Sequence, residues 1–248
     1  MPGLMVFERG GGTYMYSPLH IMWLASAAAL CLWSALMARR HGRAACRAVG
    51  MTLLCAESAR VLALYIGGKL SAAYLPLHLC SIAAYACMYH AARGGETIGE
   101  LIYSSFAPGA LSALLFPDWL GYPPTSILFL SSFGIHMLIC AYCCAMLASG
   151  AHSPSARRLP RCLAVLLVYA AAVLCFDRAF GMNYLFLMAA PAGSPLEWLG
   201  EFFPWHAMAY IPLVAVVWCA LYLPPVLVRM ATDGCLAPRH MNDILSLR

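Results

Sequence analysis

The sequence predicts an all-α protein that crosses a membrane with a bundle of about seven helices. Of its 248 residues, 63% are hydrophobic and only 10% are charged, and the mean hydropathy is +0.77. Soluble domains carry about 25% charged residues, so the bilayer is the solvent for most of this chain. The apolar runs lack the alternation of barrel strands, which leaves helices as the means to satisfy backbone polar groups in lipid.

Seven apolar runs have about the length that a helix needs to cross the hydrocarbon layer, which is ~20 residues for ~30 Å. Ser17 and Pro18 suit the N-cap and the first position of the first helix. The fourth run contains Pro108 and the sixth is short, so these are the two weakest spans. The connections are too short for a separate soluble domain, so residues 1–248 are predicted to form a single transmembrane domain. We place the spans at about 17–38, 44–67, 74–92, 98–116, 126–149, 160–177 and 205–228.

The basic residues predict the orientation, because cytoplasmic loops of membrane proteins are rich in Lys and Arg. The connections on one side carry only Arg9, Lys69 and Arg178. The N-terminus is therefore predicted outside and the C-terminus in the cytoplasm, in a multi-pass protein of the cell membrane. The net charge of +5 indicates contact with anionic lipid headgroups and no nucleic acid partner. The basic residues of the opposite side are Arg39, Arg40, Arg43, Arg47, Arg93, Arg157, Arg158, Arg161, Arg229, Arg239 and Arg248.

Ionisable residues inside apolar spans indicate function, because each costs about 2.5–3.5 kcal/mol at the centre of a membrane helix. Helical residues rise ~1.5 Å each, so depth can be counted from the cytoplasmic boundary. Cys80, His136 and Glu57 all come out about 20 Å from that boundary, in the outer half of the bilayer. A thiol, an imidazole and a carboxylate from three helices are therefore predicted to meet at one level. The full set of candidates is His20, Glu57, Arg60, His78, His136 and Asp177, with the nucleophile-capable Cys80.

The segment Leu75-Pro-Leu-His-Leu-Cys80 places a histidine and a cysteine at the start of the third span. Residues two apart on a helix point about 200° from each other, so His78 is not expected to activate Cys80 on one face. His136, on the fifth span and at matching depth, is the predicted base. Pro76 is predicted at the first helical position, which puts Cys80 near the positive end of the helix dipole, where a thiolate is favoured.

Other interpretations of these residues stay open. A histidine on a membrane helix commonly serves as an interhelical hydrogen-bonding residue, which applies to His78 and His136. Glu57 and Arg60 are three residues apart, a spacing at which they neutralise each other. These two histidines, His20 and the glutamate have the residue types of a zinc-dependent hydrolase, but the sequence has no H-E-x-x-H or similar spacing, so no metal and no cofactor is predicted. A transporter or sensor with a buried polar cluster is a further alternative.

Several short motifs occur in one order along nearly the whole chain. The most specific are Leu75-Pro-Leu-His-Leu-Cys80 and the Asn183-Tyr-Leu-Phe-Leu187 part of the segment that starts at Gly181. The weaker ones are Tyr16-Ser-Pro-Leu-His20, Gly109 through Pro117-Asp118, Phe133-Gly-Ile-His136, Pro191 and Pro204-Trp205. Together they resemble the YwaF family of bacterial integral membrane proteins, which is related to the animal transmembrane protein 164 acyltransferases.

The resemblance implies an acyltransferase or lipid hydrolase that acts on phospholipid acyl esters, with membrane lipid as both substrate and solvent. It implies Cys80 as the acyl-carrying nucleophile and His136 as its partner, which gives a Cys/His pair in the outer half of the bilayer. Asn183 or backbone amides near the start of the third helix are the candidates for stabilising the oxyanion. The residues predicted to bind or support the substrate are His20, Glu57, His78, Asn183 and Tyr184.

Overall fold

The computed structural model describes residues 10–236 and, within them, the side chains of residues 10–223. The described residues are mostly helical and include no β-strand, so the predicted all-α class is confirmed. Short 3₁₀ turns cover Ala72–Tyr74, Ala156–Arg158, Tyr184–Phe186 and His206–Ala209. The α-helices are α1 (Pro18–His41), α2 (Arg43–Ile66), α3 (Leu79–Arg93), α4 (Glu96–Leu101), α5 (Ala107–Leu115), α6 (Ile127–Ala148), α7 (Leu159–Phe180), α8 (Pro195–Gly200) and α9 (Tyr210–Leu236).

Six helical stretches of the described chain are long and apolar enough to cross a membrane. The chain is therefore a multi-pass membrane protein, and these stretches correspond to all the predicted spans except the third. The number of spans and the orientation of the termini stay predictions. The six stretches are Pro18–His41, Arg43–Ile66, Glu96–Leu115, Ile127–Ala148, Ala156–Phe180 and His206–Leu223.

The third predicted span, 74–92, begins later than expected. Leu75 is extended, with φ −61° and ψ 151°, because a proline disfavours the helical region for the residue before it. His78 is extended as well, so α3 starts at Leu79 and the prediction that Pro76 is its first residue is wrong. The 15 residues of α3 span about 22 Å, less than the ~30 Å hydrocarbon layer.

Pro108 lies within a helical stretch that continues from α4 into α5. The amide of Ala107 donates to the carbonyl of Ile102, which makes Ile102–Phe106 a π-helical turn. A proline inside a helix removes one amide and its ring presses on the carbonyl four residues earlier. The wide turn immediately before Pro108 makes room for that ring, so the fourth predicted span is present as one helix with a wide turn inside it.

α6 is the central helix of the unit that ends at Ala209. It packs against α1, α2, α3 and α5. Its large side chains Phe129, Phe133 and Tyr142 are completely buried. His136, which is 9% exposed, lies on the same packed part of α6.

The chain divides into two compact units, and the second begins at Tyr210. α9 is the helix of the second unit. The first unit contains α1 to α8 and every predicted site residue. The prediction that residues 1–248 form a single domain stays a prediction.

Candidate active site

The thiol of Cys80 and the ring of His136 meet between two helices. Cys80 is the second residue of α3, His136 lies in the middle of α6, and their side chains are close enough to interact. The histidine is 9% exposed and the cysteine is half-buried. The histidine next to Cys80 therefore comes from another helix, as the sequence led us to expect. The catalytic roles of the two residues stay predictions.

The surroundings of His136 define which ring nitrogen faces the thiol. Nδ1 lies 2.6 Å from the carbonyl oxygen of Ser132, and because a carbonyl only accepts, Nδ1 carries the hydrogen. Nε2 is then the unprotonated nitrogen of the neutral ring and is the one left for Cys80. Trp119 stacks on the imidazole, with ring centroids 4.9 Å apart and planes 19° apart. A backbone carbonyl and an indole therefore orient this base, in the place that a carboxylate takes in many hydrolases.

The start of α3 presents backbone donors next to the thiol. His78 is the N-cap residue but its side chain makes no capping bond, and the first amide to bond back to its carbonyl is that of Ser81, at 3.0 Å. The amides of Leu79 and Cys80 belong to the first turn, where a helix offers no internal acceptor. Two N–H groups and the positive end of the helix dipole are thus available for an anion at this point.

A buried ion pair lies close to Cys80. Arg60 donates from Nε and Nη2 to the two carboxylate oxygens of Glu57, at 3.0 and 2.6 Å, and their side chains are 13% and 1% exposed. The spacing-based expectation that these residues neutralise each other is confirmed. The guanidinium is also within electrostatic range of Cys80 and Tyr184. Nη1 lies outside the pair, so Arg60 keeps two N–H groups that Glu57 does not engage.

Two tyrosines hold the non-helical segment that leads into α3. The hydroxyl of Tyr184 donates to the carbonyl of Ala72 at 2.5 Å, and that of Tyr169 donates to the carbonyl of Leu77 at 2.7 Å. Burial raises the pKa of Tyr184, so its hydroxyl stays protonated and keeps donating at neutral pH. Tyr184, a predicted supporting residue, therefore positions the backbone that precedes Cys80.

The ring of His78 lies against the segment that contains Tyr184. Their ring centroids are 4.7 Å apart, and the ring of Phe186 is 5.9 Å away. Because His78 is extended rather than helical, the opposite-face argument that separated it from Cys80 does not apply. His78 and His136 are within electrostatic range of each other, so the two imidazoles lie in the same part of the first unit.

Asn183 closes its own loop. Its Nδ2 donates to the carbonyl of Ala189 at 2.8 Å, and its Oδ1 accepts from the amides of Met188 and Ala189 at 2.9 and 3.1 Å. The structure therefore supports a loop-stabilising role for Asn183 and not the predicted contact with an oxyanion. The backbone amides at the start of α3 remain as the other predicted source of that contact.

Asn183 and its loop hold an unusual backbone in place. Leu185 and Phe186 have φ values of 53° and 54°, a region that side chains other than glycine seldom adopt. Trp205 donates to the carbonyl of Leu187 at 3.2 Å, and His206 donates to that of Phe186 at 2.7 Å. This conformation directs the rings of Tyr184 and Phe186 toward His78.

His20 serves to connect helices. Its Nε2 donates to the carbonyl of Leu114 at 2.8 Å, and its Nδ1 accepts from the amide of Tyr16 at 2.9 Å. Both nitrogens of this completely buried ring are thus used by backbone groups of α5 and of the approach to α1. His20 is structural in this arrangement, and the prediction that it contacts substrate finds no support.

The ligands considered for a zinc site do not come together. His20 is bonded as described, and both oxygens of Glu57 are bonded to Arg60. In the part of the chain that the structure describes, no three His, Cys, Asp or Glu side chains form a group with the geometry of a metal site. The residues proposed for a metal-dependent hydrolase therefore belong to separate structural elements and do not form one ligand set.

Sequence reasoning missed three contributors to this site. Trp119 and Ser132 orient the imidazole of His136, and Tyr169 holds the segment before α3. Ser132 acts through its carbonyl, which is chemically the same in every residue. Trp119 and Tyr169 are ordinary aromatic residues of apolar segments in the sequence. Their contacts depend on helix packing, which no local pattern encodes.

Comparison with known proteins identifies one family. The model of the TMEM164 family matches residues 15–222, which is most of the chain and includes every predicted site residue. Comparisons with curated proteins and with solved structures found no match.

Proposed function

Because the chain belongs to the TMEM164 family, we propose that it is a membrane-embedded enzyme that transfers or hydrolyses the acyl chains of phospholipids. Cys80 is the nucleophile and His136 is its general base. The observation that carries the proposal is the close approach of these two side chains from separate helices, with Nδ1 of the histidine fixed by the carbonyl of Ser132. A thiol, a base and a group that orients the base form the arrangement that covalent acyl transfer needs.

The first half of the reaction acylates the thiol. Nε2 of His136 takes the proton of Cys80, and the thiolate attacks the carbonyl carbon of a lipid ester. The charge that develops on the carbonyl oxygen is stabilised by the amides at the start of α3 and by the field of Arg60. The C–O bond then breaks, His136 gives its proton to the departing oxygen, and a thioester remains on Cys80.

The second half releases the acyl chain. A hydroxyl compound attacks the thioester carbonyl, the C–S bond breaks, and Cys80 leaves as a thiolate that regains a proton. With an alcohol the product is a new ester, and with water it is a free fatty acid. A lipid substrate is supported by the position of the site among membrane-spanning helices. Reactants that are dissolved in the bilayer can reach such a site.

We also propose that the membrane is the cell membrane and that the site lies in its outer half. The support is the distribution of basic residues, which are concentrated in the connections at the end remote from Cys80. Phospholipid ester bonds lie at the boundary between headgroups and acyl chains, so a shallow site on the outer side has direct access to them.

The test is a search for the acylated enzyme. We would reconstitute the full chain in nanodiscs, add a phospholipid with a labelled acyl chain, quench with acid and measure the intact mass. The expected result is a labelled adduct on Cys80 that hydroxylamine removes. Cys80→Ala should lose both the adduct and turnover. Cys140→Ala is the matched control, because Cys140 is equally half-buried but bonds to the carbonyl of Ala107. Normal turnover by Cys80→Ala would rule out the mechanism.

A further inference from the structure

Two free thiols meet where α1 packs against α6. Cys31 lies on α1 and Cys144 lies on α6, and their side chains are close enough to interact. Both cysteines are half-buried, so each keeps part of its surface outside the packed core. The reaction proposed for Cys80 uses neither of them.

The register of the two helices accounts for this meeting. The ring of His20 on α1 contacts the ring of Phe133 on α6, with centroids 6.0 Å apart. Cys31 and Cys144 each lie eleven positions further along their helix. An α-helix has 3.6 residues per turn, so eleven positions make about three full turns and a rise of ~16 Å. The two thiols therefore return to the same side of the contact and to the same level.

Small side chains lie beside both thiols. Ser34, about one turn after Cys31, is 1% exposed. Ala141 and Ala145, on either side of Cys144, are completely buried. Small residues let the backbones of two membrane helices approach closely. Close approach is what a disulfide needs, because its two α-carbons must lie within about 7 Å of each other.

The two other cysteines of this part of α6 are less suited to pair with Cys31, although both are within electrostatic range of it. Cys143 is only 7% exposed. The thiol of Cys140 donates to the carbonyl of Ala107 at 3.8 Å. Cys144 is thus the thiol of α6 that is next to Cys31 and also partly exposed.

We propose that Cys31 and Cys144 are a redox site, at which hydrogen peroxide forms a disulfide that links α1 to α6 and a thiol reductant removes it. The inference does not depend on the proposed acyl transfer, because neither sulfur takes part in that reaction. α6 also carries His136, so the bond fixes the helix that holds the histidine of the candidate site.

The chemistry takes two steps. One thiol gives up its proton and its sulfur attacks hydrogen peroxide, so that the O–O bond breaks, a sulfenic acid forms and water leaves. The sulfur of the second thiol then attacks the sulfenic sulfur, the S–O bond breaks, and a disulfide and a second water form. The two sulfurs are oxidised, and the two oxygens of the peroxide are reduced.

The experiment maps the bond in the unchanged protein. The full chain in nanodiscs is treated with hydrogen peroxide, the remaining thiols are blocked with N-ethylmaleimide, and the digested protein is analysed by mass spectrometry. The expected result is a cross-link between the peptides of Cys31 and Cys144 that dithiothreitol removes. The melting temperature of the oxidised protein should rise by about 5 °C or more and fall back on reduction, because the bond restricts the unfolded chain over a long loop.

Cysteine variants identify the pair. Cys31→Ala and Cys144→Ala should each abolish the cross-link and the rise in melting temperature. Cys175→Ala is the matched control, at an exposed cysteine of α7, and should change neither. A cross-link from Cys31 to Cys140 or Cys143 would overturn the choice of partner. Oxidation of the unchanged protein without any cross-link, or a cross-link that leaves the melting temperature unchanged, would overturn the proposed link between the helices.

Discussion

Gly99 and the ring of His152 are in such close contact that a methyl group at the glycine would lie 2.5 Å from Nδ1 of the histidine. Nε2 of His90 would be 3.0 Å from the same methyl group. These residues belong to a polar cluster at the end of the first unit that is remote from Cys80. In that cluster Glu100 is completely buried and accepts hydrogen bonds from the amide of Ser155 and from Arg158. Gly99 thus provides the space in which two imidazoles sit beside a buried carboxylate.

The first prediction concerns this contact. Gly99→Ala should lower the free energy of unfolding by about 1–3 kcal/mol, because the rings of His152 and His90 must move to admit the methyl group. Thermal unfolding in one detergent is the measurement. Gly134→Ala is the matched control, since Gly134 is also helical but faces open space, and it should unfold at the same temperature or higher. Equal melting temperatures for the two variants would show that the rings of His152 and His90 move aside at little cost in stability.

The second prediction concerns pH. Burial lowers the pKa of His152 from its usual 6.5, and the nearby charge of Glu100 opposes that shift only in part. Below pH 6.5 His152 is therefore protonated in the unfolded chain but still neutral in the folded chain. The free energy of unfolding falls as the pH falls through this window. The melting temperature should drop between pH 7 and pH 5, and His152→Gln should reduce the drop. His41→Gln, at an exposed histidine, should leave the pH profile unchanged.

The third prediction separates the structural and electrostatic roles of Arg60. Arg60→Gln leaves the buried carboxylate of Glu57 without its partner, which should cost about 3–5 kcal/mol. The double variant Glu57→Gln/Arg60→Gln removes both charges and should be markedly more stable than the single variant. Its acylation rate should nevertheless fall by about 100-fold or more, because the N–H groups of Arg60 that Glu57 does not engage can no longer stabilise the developing negative charge. Full acylation by the double variant would confine Arg60 to a structural role.

The fourth prediction concerns the tyrosines that hold the approach to α3. Tyr184→Phe and Tyr169→Phe each remove a hydroxyl that bonds to the carbonyl of Ala72 or Leu77. Each should lower the free energy of unfolding by about 1 kcal/mol and speed amide hydrogen exchange in residues 75–81. Tyr65→Phe is the comparison, because Tyr65 is 70% exposed. Unchanged exchange in that segment would mean that packing alone fixes it.

The sequence was sufficient for the features that depend on hydropathy and on counting. Apolar runs gave the helical class, and equal depth along two helices gave the meeting of Cys80 with His136. Depth counting works because the rise of a helix is constant. Which residues face each other also depends on how each helix is rotated about its own axis. That rotation is set by side-chain packing, which the sequence alone does not reveal.

The features that were missed depend on where polar groups find their partners. Pro76 was expected to begin a helix, but Leu75 before it and His78 after it are extended, and α3 starts only at Leu79. Asn183 bonds within its own loop, and His20 bonds to backbone groups. A side chain seen in isolation does not indicate whether its partner is a substrate or a neighbouring amide, because both satisfy it equally well.

The extra residue in the Ile102–Phe106 turn changes the phase of the helix that follows. An α-helix turns about 100° per residue, so α5 is rotated by about that angle from a straight continuation of α4. In the present phase Leu114 is 1% exposed and Leu111 is 51% exposed. Deleting one residue before Pro108 would turn α5 by about 100°, so that side chains now buried would leave the buried face, although every amino acid beyond the deletion would be unchanged.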